Sequence, residues 1–312
     1  WSDRLSTKFK YTTYEMVEDD SSYGDDLFPE MNITITDPDS GDRDNVFLGG
    51  DRYRGANVIE VDSEFLTFKA DYDNDDHVYT FGYEEDNSDV VNLFIARYNG
   101  EVRFRSFEDY KNGIWSRLRI HEPYAGHTAT RSMAADFEVN KKTFYIQDKW
   151  YVNSDLTVQF GLRYDSVVTP VAPATNVNFV KEYGFSNASK FDFDLIQPRF
   201  SFNMDVSESM FGERDKVVAA TLRGGRGLFM GRIPRVWYGN AYSRTGATGD
   251  YRGWFSYDPT ASNFPGPMPK GDPTAFWLTS PDSKYVVPAG DNPYGVAQST
   301  DPNFEAPSSW RT

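Results

Sequence analysis

Between Phe144 and Asp165 the chain carries two runs of strand length joined by the polar pair Asn153-Ser154, and the second run alternates without a break. Leu156, Val158, Phe160, Leu162 and Tyr164 fall on one side, while Thr157, Gln159, Gly161, Arg163 and Asp165 fall on the other. Successive side chains of a strand point to opposite faces, so this segment has one apolar face and one polar face. The apolar face must cover either a protein core or lipid, and that choice governs everything the chain can become.

The pattern recurs. Leu5, Thr7, Phe9 and Tyr11 interleave with Ser6, Lys8, Lys10 and Thr12, and Leu66, Phe68, Ala70 and Tyr72 interleave with Thr67, Lys69 and Asp71. After Asp73-Asn74-Asp75-Asp76, Tyr79, Phe81 and Tyr83 alternate with Thr80, Gly82 and Glu84. Ile196, Pro198, Phe200, Phe202 and Met204 oppose Gln197, Arg199, Ser201, Asn203 and Asp205, and Ala220, Leu222 and Leu228 oppose Thr221 and Arg223. Seven strands are predicted, six of them in hairpins: 62–72 with 77–87, 142–152 with 155–166, and 195–205 with 216–230. Turns inside the hairpins are short or moderate. The segments 16–61, 88–141, 167–194 and everything past 230 read as long loops. Loops beyond about 12–15 residues are uncommon in compact soluble domains, whereas transmembrane barrels pair short periplasmic turns with long outer loops.

The expected fold class is therefore all-β, a partial antiparallel transmembrane β-barrel with short periplasmic turns and long extracellular loops. Barrel-wall hairpins and their loops occupy 1–230, and a truncated Pro/Gly/aromatic-rich extracellular region occupies 231–312. Lys69, Gln159, Arg163, Gln197, Arg199 and Arg223 then face a wet lumen. The competing arrangement, a secreted or surface all-β binding module such as a carbohydrate-binding sandwich or propeller, needs the apolar face in a protein core.

Composition narrows the field. No apolar run approaches the roughly 18 residues of a membrane helix, but barrel strands need only about 9–11 residues, half of them polar. A net charge of −15 repels nucleic-acid phosphates. Zero Cys removes disulfides and thiol chemistry. The chain starts at Trp1 with nothing like a signal peptide, so it reads as beginning mid-protein.

Five segments resemble TonB-dependent outer-membrane receptors, and among these the Oar-like branch. Tyr145-Ile146-Gln147-Asp148-Lys149-Trp150 with Leu156-Thr157 and Gly161-Leu162-Arg163-Tyr164-Asp165 is similar to the family's "YxQDxW … LTLxxGLRYD" hairpin. Phe81-Gly82-Tyr83-Glu84 with Asn92-Leu93-Phe94-Ile95, and Asn178-Phe179-Val180 with Tyr183-Gly184-Phe185-Ser186-Asn187, fit as well. So do Gln197-Pro198-Arg199-Phe200-Ser201-Phe202-Asn203 and Leu222-Arg223-Gly224-Gly225-Arg226-Gly227-Leu228-Phe229, and the matches run in family order over about residues 60–245. The resemblance implies a plugged barrel of about 22 strands, driven by the TonB complex through a plug. Plug, TonB box and terminal aromatic strand are not seen in the sequence, so the chain reads as an internal piece of the wall. One residue departs from the pattern. Arg226 falls beside Leu222 and Leu228 on the lipid side, so it is expected near the outer rim, or shifted in register by the glycines around it.

The remaining constellations favour plain explanations. Asp71 to Asp76 begins like a calcium loop but has Asp76 where the motif needs Gly and Gly82 where it needs Glu. Asp37, Asp39, Asp42 and Asp44 make a looser calcium candidate, against which a solvated acidic turn is preferred. His77, His121 and His127 lack metal-ligand spacing, and His121 and His127 read as surface loop residues. No catalytic constellation, metal site or cofactor motif stands out, so no enzyme, metal or cofactor is expected. Eleven of seventeen prolines follow residue 230, amid many aromatics. Trp237, Tyr238, Tyr242, Trp254 and Trp277 are candidate ligand-loop residues, with a loop mini-core as the simpler role. The expected function is a receptor that imports an extracellular ligand, with outer-membrane lipid and the TonB complex as partners in the outer membrane of a Gram-negative cell.

Overall fold

The computed structural model describes residues 2–19, 29–123, 133–207, 220–254 and 297–312. In chain order its strands are β1 (Leu5–Asp19), β2 (Glu30–Thr36), β3 (Arg43–Gly49), β4 (Asn57–Asn74), β5 (His77–Phe94), β6 (Glu101–Phe104) and β7 (Arg117–Pro123). They continue with β8 (Ala135–Tyr151), β9 (Leu156–Val168), β10 (Phe193–Asp205), β11 (Thr221–Met230), β12 (Gly249–Trp254) and β13 (Ser308–Arg311). Three helices, α1 (Phe107–Asn112), α2 (Val177–Tyr183) and α3 (Arg235–Ser243), lie in the connections.

Eight strands form one antiparallel sheet in the order β1-β4-β5-β8-β9-β10-β11-β13. The predicted hairpins are its backbone, although β4, β5 and β8 run well beyond the predicted ends. Turn chemistry explains the tight joins. Asn74 pairs with His77, leaving Asp75 and Asp76 to reverse the chain, with Asp75 at φ 53°. At the next turn the Asn153 carboxamide oxygen accepts from the amides of Asp155 and Leu156 at 2.9 Å each. Of the predicted strand 216–230, residues 216–219 lie outside the described residues, and β11 begins at Thr221.

Facing residues in adjacent strands share a face, so the register extends the alternation across the sheet. One row reads Ala70, Phe81, Ile146, Leu162 and Pro198. The next reads Phe68, Tyr83, Phe144, Tyr164 and Ile196. This face is uncovered: Phe9 is 68% exposed, Leu162 52% and Ile196 60%. Farther from the turns the same face becomes charged, with Glu85 beside Lys142 and Asp89 beside Glu138.

The opposite face is divided. Near the long-loop end, Val61, Val90 and Phe137 pack with Phe191, Ile233 and the α3 residues Tyr238, Ala241 and Tyr242. Near the turns it is polar and open.

The long connections are not structureless, which corrects the sequence-based expectation. Segments of 16–61, 88–141 and the tail build a second sheet, β12-β7-β6-β2-β3. Its β2 and β6 are parallel, and its core is Met31, Ile33, Val102, Phe104, Trp115 and Leu118. Within 167–194, α2 is capped by Asn176, whose side chain accepts from the amides of Asn178 and Phe179. The fully buried Asn187 accepts from the Asn176 amide at 2.7 Å.

Candidate functional site

Inward from the apolar face, the polar side of β8–β11 carries the densest chemistry. Arg163 donates to Glu84 and to Asp165, each at 3.0 Å, and to the Thr143 hydroxyl at 3.2 Å. Asp165 also accepts from Thr143 at 2.6 Å and from the Gln197 carboxamide at 2.8 Å. Gln197 in turn accepts from Arg199 at 3.2 Å and from the Met230 amide at 2.9 Å. Thr143, Asp165 and Gln197 are buried, and a buried carboxylate is tolerable only because its oxygens are met by donors and a cation. Period two explains the convergence: 143, 163, 165, 197 and 199 all fall on the polar face, and the register lines them up strand by strand.

Toward the turns this ladder opens into a hollow of about 920 Å³. Glycine carves it. The facing row Gln147, Gly161, Arg199, Gly227 and Arg311 holds two positions without side chains, and Gly225 opposite Ser201 adds a third. Two of these glycines also answer to backbone packing: a Cβ on Gly161 would lie 2.7 Å from the Ile146 carbonyl oxygen, and one on Gly225 2.7 Å from that of Phe200. Lys149, Arg199, Arg223 and Arg311 line the hollow, and no Asp or Glu side chain does. Phe229 lies under two of these cations, 4.5 Å from the Arg199 guanidinium carbon and 5.6 Å from that of Arg311.

The six residues expected on the lumen side, Lys69, Gln159, Arg163, Gln197, Arg199 and Arg223, all sit on this polar face by register. Lys69 is paired with Asp71 at 2.8 Å. Gln159 accepts from Ser201 at 3.4 Å and Arg223 donates to Asn203 at 3.3 Å. Lys149 and Arg311 were missed, although the period-two count that placed Gln159 and Arg163, carried back across the turn to the preceding strand, reaches Lys149.

Among the described residues the loop aromatics are not gathered into a platform. Tyr238 stacks 5.7 Å from Phe137 and packs 4.4 Å from Phe191. Tyr242 is buried with its hydroxyl donating to the Val171 carbonyl. Both are the packing side of α3, whose exposed side carries Trp237. Trp254 ends β12 and its side chain is outside the described residues, as is Trp277.

Arg226 corrects a second expectation. The ladder through Gly224, Gly225 and Gly227 is regular, and Arg226 pairs with Phe200 on the apolar face between Leu222 and Leu228. Its guanidinium lies 5.1 Å from the Trp310 ring centre, a cation–π contact that covers part of the charge.

On the second sheet the buried Glu101 is ringed by Arg97 and Arg119 at 2.5 Å, Arg103 at 2.7 Å, Arg52 at 3.5 Å and Arg117 at 3.6 Å. Burial pushes its carboxyl upward, but hydrogen bonds from Arg97, Arg103 and Arg119 outweigh that and bring it down to about 2. His121 is half-buried beside this cluster rather than a free surface residue, and burial, with Arg244 and Arg97, brings it down to about 4. His127 lies outside the described residues.

At the acidic turn, Asp37 accepts from the amides of Asp39 and Ser40 at 2.8 and 2.9 Å. These bonds hold its carboxyl below the usual range. Asp37, Asp39, Asp42 and Asp44 are all exposed, and no group of three or more metal-ligating side chains is assembled among the described residues.

The family model described as an outer membrane beta barrel domain matches residues 70–311. No curated protein and no solved structure matches the chain.

Proposed function

Because the chain belongs to the outer membrane beta-barrel domain family and is a protein of the cell outer membrane, we propose that it forms part of a TonB-dependent receptor. In this proposal it captures a ligand outside the cell and passes it inward with energy from the TonB complex, without a chemical step of its own. The apolar face meets lipid and the polar face lines the lumen. The lipid band runs from Leu156 to Tyr164 on β9 and from Ile196 to Met204 on β10. That is roughly 26 Å along each strand, or about 20 Å of height at the ~40° tilt of barrel strands, most of the ~25 Å apolar height of outer-membrane barrels. Tyr79 and Trp150 near the turns, and Tyr83 and Tyr164 below the charged zone, fit the two aromatic girdles. The edge strands β1 and β13 would leave backbone groups unpaired in lipid, where no water can satisfy them, so further strands of the same wall are taken to flank them.

The observation that carries the proposal is the convergence of the receptor-like segments. Tyr145-Ile146-Gln147, Gly161 to Asp165, and Gln197-Pro198-Arg199 come from three strands, yet they meet in the Arg163–Asp165–Gln197–Arg199 ladder. At the long-loop end, α3 and the second sheet supply the folded outer structure that a capturing receptor needs. With the uncovered apolar face given to lipid, the secreted binding module loses its core. Two measurements on the full-length protein test the proposal: binding to the periplasmic domain of TonB by surface plasmon resonance, and conductance in planar bilayers. Binding and a closed resting state are expected. A protein that ignores TonB and conducts steadily is a porin-type channel and sinks the proposal.

A further inference from the structure

We propose that the glycine-carved hollow on the polar face is a subsite for an anionic group, a carboxylate or phosphate, of the transported solute. The inference rests on that face being a wet lumen. Four cations of the polar face line the hollow and a fifth, Arg226, borders it from the apolar face, with no acidic side chain among them, in a chain whose net charge is −15. Outside the hollow, on β4–β9 of the same face, the cations are paired: Lys69 with Asp71, Lys141 with Asp165, and Arg163 with both Glu84 and Asp165, while Lys8 and Lys10 stand on the edge strand β1, far from the hollow. Lys149, Arg199, Arg223 and Arg311 make no ion pair among the described residues, and the buried Nε of Arg199 has no hydrogen-bond partner. The hollow is therefore where unpaired positive charge from several strands is gathered on this face.

The geometry suits an anion. Gly161 and Gly227 flank Arg199 in its row, so neither directly paired residue puts a side chain beside the guanidinium. Phe229 beneath Arg199 and Arg311 holds both groups against an aromatic face, which limits their freedom before a ligand arrives. Arginine presents a planar fork of donors that matches a carboxylate or phosphate. Ser201, Asn203, Gln147 and Gln159 add neutral hydrogen-bonding groups at the rim. Clustered positive charge of one sign in a cleft raises the local concentration of an anion.

The test uses the full-length protein carrying Gln159→Cys, since this sequence has no cysteine of its own. A water-soluble maleimide reads access to the hollow, and the neighbouring Phe160→Cys, on the apolar face, is the control. Labelling at 159 but not at 160 is expected. Citrate or inorganic phosphate should slow labelling at 159, whereas sucrose should not. Adding Lys149→Gln or Arg223→Gln should raise the citrate concentration for half-protection about tenfold each. Heat-modifiable mobility confirms that each variant is folded. Absence of labelling at 159 overturns the lumen reading and the subsite with it. Labelling that citrate does not slow overturns the anion subsite alone, as does protection that persists undiminished without the cations.

Discussion

Two charged residues show how differently one kind of side chain is accommodated in two parts of this molecule. Glu101 is buried under five arginines and its carboxyl is lowered from 4.5 to about 2. A carboxyl lowered on folding stabilises the fold above its unfolded value and loses that contribution as pH falls through the folded one. The second sheet is therefore expected to loosen between about pH 4.5 and 2, read as protease cleavage near residues 97–119 in intact outer membranes. Glu101→Gln should produce the same cleavage at neutral pH, costing about 3 kcal/mol or more, because the arginines would remain clustered without their counter-charge. Arg226 is the opposite case, a cation on the lipid face with only a ring for company. Arg226→Leu is expected to stabilise the wall by about 1–3 kcal/mol, the cost of a lipid-facing arginine less the lost contact with Trp310. A higher midpoint of heat-modifiability would show it, and a lower one would mean that the Trp310 contact dominates.

At the scale of a strand, two glycines on the polar face give opposite forecasts. A Cβ on Gly82 would fall 1.9 Å from Cζ of Tyr145, the far end of a ring that can swing away. A Cβ on Gly161 would fall 2.7 Å from the Ile146 carbonyl oxygen, which is backbone in the paired ladder and cannot move alone. Gly161→Ala is expected to cost more than Gly82→Ala, with the larger loss at about 1–3 kcal/mol; urea unfolding of the two variants side by side decides it. Strands β9 and β10 were legible in the sequence because residues 156–165 and 196–205 alternate without a break. The second sheet was not. Met31, Ile33 and Ile35 alternate with Asn32, Thr34 and Thr36 over only seven residues, and the parallel partner β6 arrives about seventy residues later. A strand that short is stabilised mainly by its neighbours, so its local pattern is weak evidence by itself.

For the whole molecule, an eight-stranded sheet that leaves a broad apolar band uncovered near the turns, with a polar, open face behind it, suits a surrounding of lipid. The full-length protein is expected in the outer-membrane fraction, with mobility on unheated gels that changes on boiling. Recovery in the soluble fraction with one mobility would contradict it. The two ends of the wall are unlike because they face different tasks. Turns at one end need only reverse the chain, and Asp75-Asp76 and Asn153-Ser154 do so with local hydrogen bonds. Connections at the other end gather into the second sheet and send α3 back onto the inner face.

The sequence by itself determined the class of fold, the hairpins of the large sheet and which side of each hairpin strand is apolar, because alternation is a local property that any stretch of about ten residues displays. It also carried the polar ladder, since Arg163, Gln197 and Arg199 sit where alternation and family resemblance agree. Only the tertiary structure decided that Tyr238 and Tyr242 serve packing and that the long connections fold into a sheet. The same holds for Lys149 and Arg311 meeting Arg199 and Arg223 around one hollow. Those outcomes depend on which strands become neighbours, and pairing between distant segments is set by the sum of many weak contacts that no short window of sequence contains.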